Sequence, residues 1–204
     1  MSQEQGLVGR LVGTMIRRSV RRTFRNVYWQ PSSHPIQGPA ILFANHHGWH
    51  DGYLMYHVVR QLQLPSVDWI EEFDTFPLFA SVGGLRFTKG DPAARALAIR
   101  KTVRLMREEG RSLVLFPEGT LHRGPDLLPF GEAIPFLTRH VPDVKLIPVA
   151  IRYEHGIHER PEAWIRIGEP VAAGPSSQLR TELEAVLNRL RAAIDQDEPF
   201  SILA

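Results

Sequence analysis

The sequence predicts an α/β fold: a single domain with a largely parallel central sheet flanked by helices, preceded by an N-terminal amphipathic helical segment. After residue 40, short apolar runs typical of buried strands alternate with longer stretches of helical periodicity. The chain has 204 residues, 43% of them hydrophobic, which fits one domain with a full core. In such sheets, ligands bind beyond the carboxyl ends of the strands.

The individual elements follow from local pattern. Strands are predicted where apolar residues cluster between turn residues, at Ala40–Ala44, Val67–Ile70, Leu85–Thr88, Ser112–Phe116, Lys145–Ile151 and Trp164–Ile167. Helices are predicted from spacings of three and four, at Gly52–Gln63, Pro92–Glu109, Gly131–Arg139 and Ser177–Gln196. The helix from Pro92 also has Asp91 at its N-cap position and Gly110 as its stop signal.

Residues 1–29 are predicted to form a basic, amphipathic, helical membrane-association segment, followed by a domain over residues 30–204. The first 30 residues hold six arginines against one glutamate, although the whole chain has a formal net charge of only +2. One face of this segment is apolar up to Arg17 and then rotates, so we expect a bend or two short helices. Tyr28 and Trp29 are expected at a membrane interface. The alternative is a helix that packs its apolar residues on the domain.

Composition excludes several classes of protein. The chain has no cysteine, which rules out disulfides, thiol nucleophiles and cysteine-ligated zinc and is compatible with the cytosol. No apolar run approaches the ~18 residues of a membrane-spanning helix, and arginines interrupt the N-terminus too early for a signal peptide. The basic arm suggests an anionic partner, either lipid head groups or nucleic acid.

The segment from Asn45 to Asp51 is the most informative stretch of the chain. His46 directly follows a predicted strand and can take a proton from a hydroxyl, while Asp51 can orient that imidazole and stabilise its charged form. Asp51 also has a simpler role as a helix N-cap, worth about 1 kcal/mol. A metal site remains open as well, because His46, His47, His50 and Asp51 offer imidazole and carboxylate ligands that suit zinc or manganese.

A second polar cluster, Phe116 to Thr120, also ends a predicted strand. Here Glu118 could hold a substrate hydroxyl, Gly119 could let a ligand approach the backbone, and Thr120 could donate a hydrogen bond. The alternative is a solvated surface turn. Three cations are candidates for binding an anion such as a phosphate, although lone basic side chains are more often solvated: Arg86, Lys89 and Arg123.

Taken together, these clusters resemble the glycerolipid acyltransferase family, the 1-acylglycerol-3-phosphate (lysophosphatidic acid) acyltransferases and their relatives. The family's Asn-His motif with Asp five residues after the His matches Asn45, His46 and Asp51, and its Phe-Pro-Glu-Gly-Thr motif matches residues 116–120 without change. Its Gly-containing second motif resembles residues 84–89, and its fourth motif, an apolar strand with an internal proline, resembles residues 147–149. Order and spacing agree across residues 40–151.

The resemblance implies transfer of a fatty acyl group from acyl-CoA or acyl carrier protein to the hydroxyl of a lysophospholipid or related lipid alcohol. His46 and Asp51 are then the catalytic pair, with substrate-binding candidates Asn45, Arg86, Lys89, Glu118, Gly119, Thr120 and Arg123. The family usually has Arg at the position of Lys89, and Arg also at the position of Leu121. Both departures weaken the phosphate-binding signature, because lysine lacks the bidentate guanidinium fork.

The resemblance also implies an enzyme without a cofactor or bound metal, in the cytoplasm and peripheral on the inner face of the cell membrane, with no nucleic-acid partner. Two alternatives remain at this point. One is a metal-dependent hydrolase built on the histidine-rich segment. The other is a non-catalytic module whose arginine-rich arm binds membrane or nucleic acid.

Overall fold

The computed structural model describes residues 6–71, 73–88 and 90–204. Eight strands form one sheet: β1 Val27–Gln30, β2 Ala40–Ala44, β3 Ser66–Ile70, β4 Gly84–Arg86, β5 Ser112–Leu115, β6 Lys145–Glu154, β7 Glu162–Ile167 and β8 Ser201–Ile202. The helices are α1 Leu7–Thr23, α2 Asp51–Gln61, α3 Pro92–Glu109, α4 Ala133–His140 and α5 Ser176–Asp195, with a 3-10 helix at Pro77–Val82.

The sheet has the strand order β4-β3-β5-β2-β6-β7-β1-β8. Neighbours from β4 to β6 pair in parallel, as do β7 and β1, whereas β6 pairs antiparallel with β7 and β1 with β8. The predicted α/β class with a largely parallel sheet is therefore confirmed. All six predicted strands and all four predicted helices of the domain are present, with ends that differ by a few residues.

The molecule has three layers because each face of the sheet is covered by helices. On one face, α1 and α2 pack against alternate residues of β2 and β6, such as Leu42 and Ile147. On the other face, α3, α4 and α5 pack against the intervening residues, such as Ile41 and Phe43. The five residues of β2 are all buried, as expected for a central parallel strand.

The N-terminal segment differs from the prediction in two ways. Residues 7–23 form one helix without a break. Its apolar face rotates along the helix because Val12, Ile16 and Val20 pack on the domain. Residues 27–30 form β1 rather than a helix end, so the predicted interfacial placement of Tyr28 and Trp29 is wrong. Buried and half-buried side chains alternate along β1, which pairs in parallel with β7.

The strand order brings the carboxyl ends of β3, β5 and β2 side by side. The segments that follow β2 and β5 are those that carry the two polar clusters of the sequence. Among the described residues, no helix combines the length and the apolarity needed to cross a bilayer.

We predict that Gly84 is required for the close contact between β4 and the 3-10 helix. A Cβ at this position would lie 2.9 Å from the Phe79 carbonyl oxygen and 2.7 Å from Ile70 Cδ1. Gly84→Ala should therefore reduce the free energy of unfolding by roughly 1–3 kcal/mol, measured by urea denaturation. The matched control is Gly52→Ala in α2, where a Cβ meets open space; helix propensity predicts a gain of roughly 0.5–1 kcal/mol there. Equal effects at the two glycines would contradict the packing argument.

Candidate active site

The loops after β2 and β5 are joined directly to each other. The backbone N–H of His46 donates to Glu118 Oε1 at 2.8 Å, and the N–H of His122 donates to the His46 carbonyl at 3.2 Å. The His46 ring also stacks on Phe116, with ring centroids 4.4 Å apart. The structure thus brings the two sequence clusters into one site at the carboxyl edge of the sheet.

His46 and Asp51 face each other as the sequence predicts. His46 Nδ1 lies 3.0 Å from Asp51 Oδ2; the Asp51 side chain is fully buried, while that of His46 is 25% exposed. Because a carboxylate can only accept, the imidazole nitrogen facing Asp51 carries the proton, which leaves Nε2 as the nitrogen with a free lone pair. This pairing is the arrangement in which an imidazole acts as a general base.

Asp51 is held by two further donors. The backbone N–H of Gly48 donates to Oδ2 at 2.9 Å, and the Tyr153 hydroxyl donates to Oδ1. Burial and the neighbouring carboxylate raise the pKa of Tyr153 well above its usual value, so the hydroxyl keeps its proton and remains a donor. A Cβ on Gly48 would overlap the Tyr153 ring, so glycine at this position allows Tyr153 to reach Asp51. Asp51 also lies in the first turn of α2, where the helix dipole favours a negative charge.

Glu118 was expected to hold a substrate hydroxyl, but its contacts are with the protein itself. Its side chain is fully buried. Oε1 accepts from the His46 N–H, while Oε2 accepts from the Leu128 N–H at 2.7 Å and lies 2.6 Å from His122 Nε2. These three donors, from His46, His122 and Leu128, are held together by one carboxylate. Glu118 therefore positions the loop that carries His46.

Asn45 was also expected to bind substrate, and its side chain is likewise engaged by the protein. The amide donates to the Ile151 carbonyl at 2.9 Å and accepts from the Ile151 N–H at 2.8 Å. These two hydrogen bonds continue the pairing of β2 with β6 through a side chain. Asn45 therefore anchors the start of the loop that carries His46.

Of the four residues in the alternative metal cluster, only His46 and Asp51 contact each other in the structure. His50 Nε2 lies between the hydroxyls of Ser19 and Thr23 in α1, at 3.3 and 3.1 Å, and thus ties α1 to the site. The His47 ring instead packs edge-on against His122. These contacts contradict a metal centre built from His46, His47, His50 and Asp51.

A different trio, His47, Glu118 and His122, places its ligand atoms within 4.8 Å of one another. The hydrogen bonds in place do not suit a metal ion. Because Asn45 has its amide orientation fixed by Ile151, its N–H₂ group donates to His47 Nδ1 at 3.3 Å. Burial lowers the pKa of His47, so the ring is neutral and its proton lies on Nε2. A metal ion at Nε2 would require this proton to move to Nδ1, which would break the hydrogen bond from Asn45.

A cavity of about 740 Å³ opens beside His46. It runs between the sheet and the elements α1, α2 and the 3-10 helix and extends to the start of α3 at Arg95. Aromatic side chains form much of its wall: Trp49, Tyr53, Trp69, Phe76 and Phe79. Gly119 and Thr120 line the same cavity, as the sequence predicts for residues near a substrate. Gly119 has a φ of +67°, a left-handed conformation that favours glycine, and a Cβ there would meet open space.

Two of the three predicted anion-binding cations, Arg86 and Arg123, are not among the residues that line this cavity. The Arg86 side chain instead pairs with Asp74 at 2.8 Å and contacts Thr88 Oγ1 at 3.1 Å, and Arg123 is exposed. Lys89 lies outside the described residues. Arg95 at the start of α3 does line the cavity, and its guanidinium lies 4.9 Å from the centre of the Phe87 ring.

The sequence interpretation missed three residues that the structure places at the site. Tyr153 comes two residues after a predicted strand, and His122 comes four residues after Glu118; neither position carries a local signal. Asp68 was detectable, because a charged residue within a parallel strand is uncommon. Asp68 lines the cavity, and burial raises the pKa of its carboxyl to about 7, with His46 and the Trp69 amide offsetting part of this effect.

We predict that the desolvated carboxyl of Asp68, a half-buried residue of β3, makes stability depend on pH. The folded pKa is raised above the unfolded value of about 3.9, so between about pH 4 and 7 the unfolded chain loses its proton first and stability falls as pH rises. Asp68→Asn should therefore be more stable than the parent protein at pH 8, by up to about 4 kcal/mol. The two proteins should be similar below about pH 4. Thermal unfolding at several pH values measures this, and a constant difference at all pH values would contradict it.

Comparisons with known proteins agree with this geometry. The chain is 35% identical over 72 residues to a 1-acyl-sn-glycerol-3-phosphate acyltransferase of Limnanthes douglasii, covering 34% of the chain and 26% of that protein. It is 28% identical over 174 residues to a lyso-ornithine lipid O-acyltransferase of Brucella abortus (strain 2308), covering 79% of the chain and 61% of that protein. The chain thus spans less than two thirds of the length of either relative.

A solved structure shares the fold. The 1-acyl-sn-glycerophosphate (LPA) acyltransferase PlsC from Thermotoga maritima superposes with a TM-score of 0.65 at 18% identity, covering 95% of this chain and 81% of that one. The family model described as Acyltransferase matches residues 21–152, which is more than half of the chain and includes both loops of the site. The chain therefore belongs to the acyltransferase family.

Proposed function

We propose that this protein transfers a fatty acyl group from a thioester, carried by CoA or an acyl carrier protein, to the hydroxyl of a lysophospholipid or related lipid alcohol. The observation that carries the proposal is the His46–Asp51 pair beside a largely aromatic cavity. Membership of the acyltransferase family supports the same reaction class. The names of the two curated relatives support a lipid acceptor, an acylglycerol phosphate in one case and a lyso-ornithine lipid in the other.

In this proposal His46 acts as the general base through Nε2. It removes the proton from the acceptor hydroxyl, and the oxygen attacks the thioester carbonyl. The tetrahedral intermediate collapses, the carbon–sulfur bond breaks, and the thiolate takes the proton from His46. Asp51 stabilises the imidazolium that forms between the two steps. The lipid ester and the free thiol are the products, and the enzyme returns to its starting state.

The proposed role of Glu118 and Asn45 is to hold His46 in place. Both are fully engaged by protein donors and acceptors around the loop that carries His46. Gly119 and Thr120 are proposed to contact the substrate, because they line the cavity beside His46. A phosphate-bearing acceptor would rely on Arg95 more directly than on Arg86, whose charge is already paired with Asp74.

We further propose that α1 holds the protein on a membrane surface. Val12 and Ile16 dock on the domain, while Leu7 and Leu11 are 73% and 69% exposed, with Val8 and Met15 also exposed. Exposed apolar residues beside a run of arginines are typical of helices that lie in the lipid interface. The helix packs on the 3-10 helix, which lines the cavity, so a bound membrane would lie near the path of a lipid acceptor.

We predict that His46→Ala reduces kcat by at least about 10³-fold, because the base is lost, while the protein still folds because Asp51 keeps its hydrogen bonds from Gly48 and Tyr153. Release of free thiol from an acyl thioester in the presence of a lysolipid measures this. The matched control is His140→Ala, since His140 is exposed at the end of α4, which packs on the opposite face of the sheet. Turnover of the His46 variant at the parent rate would exclude His46 as the base.

We also predict that Asp51→Asn reduces kcat by about 10²–10⁴-fold, because an amide in place of the carboxylate no longer fixes the Nδ1–H tautomer. Tyr153→Phe should have a smaller effect, about 10-fold or less, since it removes one of three donors to Asp51. We expect Asp51→Asn to cause a larger loss of kcat than Tyr153→Phe. A Tyr153→Phe loss as large as that of His46→Ala would mean that the hydroxyl itself acts on the substrate.

Membrane binding is tested by point changes, because residues 16, 20 and 27 lie in the core and removal of residues 1–29 would damage the fold. Leu7→Glu combined with Leu11→Glu should reduce flotation with anionic vesicles at least about 10-fold. The matched control is Leu97→Glu, because Leu97 is similarly exposed but lies on α3 on the opposite face of the sheet. Activity on a monomeric short-chain acceptor should be the same in the parent protein, the Leu7→Glu/Leu11→Glu double variant and the Leu97→Glu control. Equal loss of flotation in the control would contradict a role for α1.

A further inference from the structure

Asp68 is an acidic residue in β3, a strand that lies between β4 and β5 in the sheet. It lies in the middle of β3 and is paired with Gly84 of β4 and Val114 of β5. Successive side chains of a strand point to opposite faces of the sheet. Val67 belongs to the core beneath α3, so Asp68 points to the other face, where it lines the cavity. Asp68 is half-buried, and a carboxylate that loses part of its hydration is costly unless it is paired, so its presence in the cavity wall requires a physical reason.

The protein supplies little compensation for this carboxyl. Within the described part of the chain, no lysine, arginine or side-chain hydroxyl bonds to Asp68. Burial is the main cause of its raised pKa, and the opposing effects come from His46 and the Trp69 backbone amide. Arg95 also lines the cavity, yet its guanidinium lies over the Phe87 ring. The acceptor capacity of Asp68 is therefore available to a molecule in the cavity.

The walls around Asp68 are suited to a positive charge. Phe76 packs against Trp49 and Phe79 with ring centroids 6.0 and 5.7 Å apart, and Tyr53 continues this wall at 5.9 Å from Phe79. Aromatic faces attract organic cations, and a carboxylate beside them adds a charge partner. Arg95 already shows this behaviour in the same cavity, because its guanidinium lies over Phe87, which in turn stacks on Trp69 at 4.2 Å.

We propose that Asp68 and the aromatic wall recognise an ammonium group in the head group of the acceptor lipid, so that the preferred acceptor is a lyso-lipid with an amine rather than a bare phosphate. This inference rests on the proposed acyl transfer to a lipid hydroxyl. It makes Asp68 a specificity-determining residue, distinct from His46 and Asp51. The pairing of Arg86 with Asp74 agrees with it, because that cation does not line the cavity, and Arg95, which does, lies over the Phe87 ring.

The separation between Asp68 and His46 is compatible with one acceptor molecule that contacts both. Val114 pairs with Asp68 on one side and with Leu42 on the other, so Asp68 lies two strands from β2, at about 10 Å. His46 lies four residues beyond Leu42, at most about 13 Å along the strand direction, because β2 ends at Ala44. The two Cα atoms are therefore at most about 16 Å apart, and the two side chains line the same cavity. An acceptor with its hydroxyl and its ammonium on the order of 10 Å apart fits this space.

The test compares three lyso-lipid acceptors with the same acyl chain: one with an ammonium head group, such as a lyso-ornithine lipid, one with a phosphate, and one neutral. Each is assayed by thiol release with the parent protein, with Asp68→Asn and with the control Glu108→Gln at the exposed end of α3. The parent protein should prefer the ammonium acceptor in kcat/KM at least about 10-fold. Asp68→Asn should lose that preference, mainly through KM, and should change less than about threefold on the neutral acceptor.

Each other outcome overturns the inference. A parent protein that prefers the phosphate acceptor, or an Asp68→Asn variant that loses activity equally on all three acceptors, would show that Asp68 does not recognise an ammonium group. Failure of the proposed function is distinguishable, because the parent protein would then transfer an acyl group to none of the three. If Asp68→Asn fails to fold, Asp68→Ser replaces it, and the same ratio between acceptors is measured.

Discussion

The site depends on the buried carboxylate of Asp51. It is reached by the imidazole of His46, the backbone N–H of Gly48 and the hydroxyl of Tyr153, which come from the loop after β2 and from β6. An unpaired buried charge would be costly, so these donors both stabilise the carboxylate and fix the ring that faces it. The same constraint explains the glycine at position 48, because any side chain there would displace Tyr153.

A second buried carboxylate, Glu118, positions the site from the other side. It binds the His46 amide, the Leu128 amide and the His122 ring, so the loops after β2 and β5 move together. Two fully buried acids thus hold His46, one at its ring and one at its backbone. The imidazole itself remains partly exposed to the cavity, which is the requirement for a base that must meet substrate.

The sequence predicted the fold class and the contact between His46 and Asp51 because both have local signals. Apolar runs such as Ala40–Ala44 mark buried strands, and the parallel sheet brings their carboxyl ends together. It did not predict that residues 27–30 form a strand, because β1 is defined by long-range pairing with β7. It also assigned Glu118 and Asn45 to the substrate, since a sequence does not show that their polar atoms are already bonded to distant backbone groups. Tyr153 was missed for the same reason.

The central claim is that Asp51 holds His46 with its proton on Nδ1, leaving Nε2 free to accept one from a lipid hydroxyl. Nitrogen NMR of ¹⁵N-histidine-labelled protein measures this directly, with His46→Ala used to assign the signals. We expect the neutral His46 ring to be protonated at Nδ1, and Asp51→Asn to shift the ring toward the other tautomer. Protonation of neutral His46 at Nε2 in the parent protein, or no response to Asp51→Asn, would contradict the account.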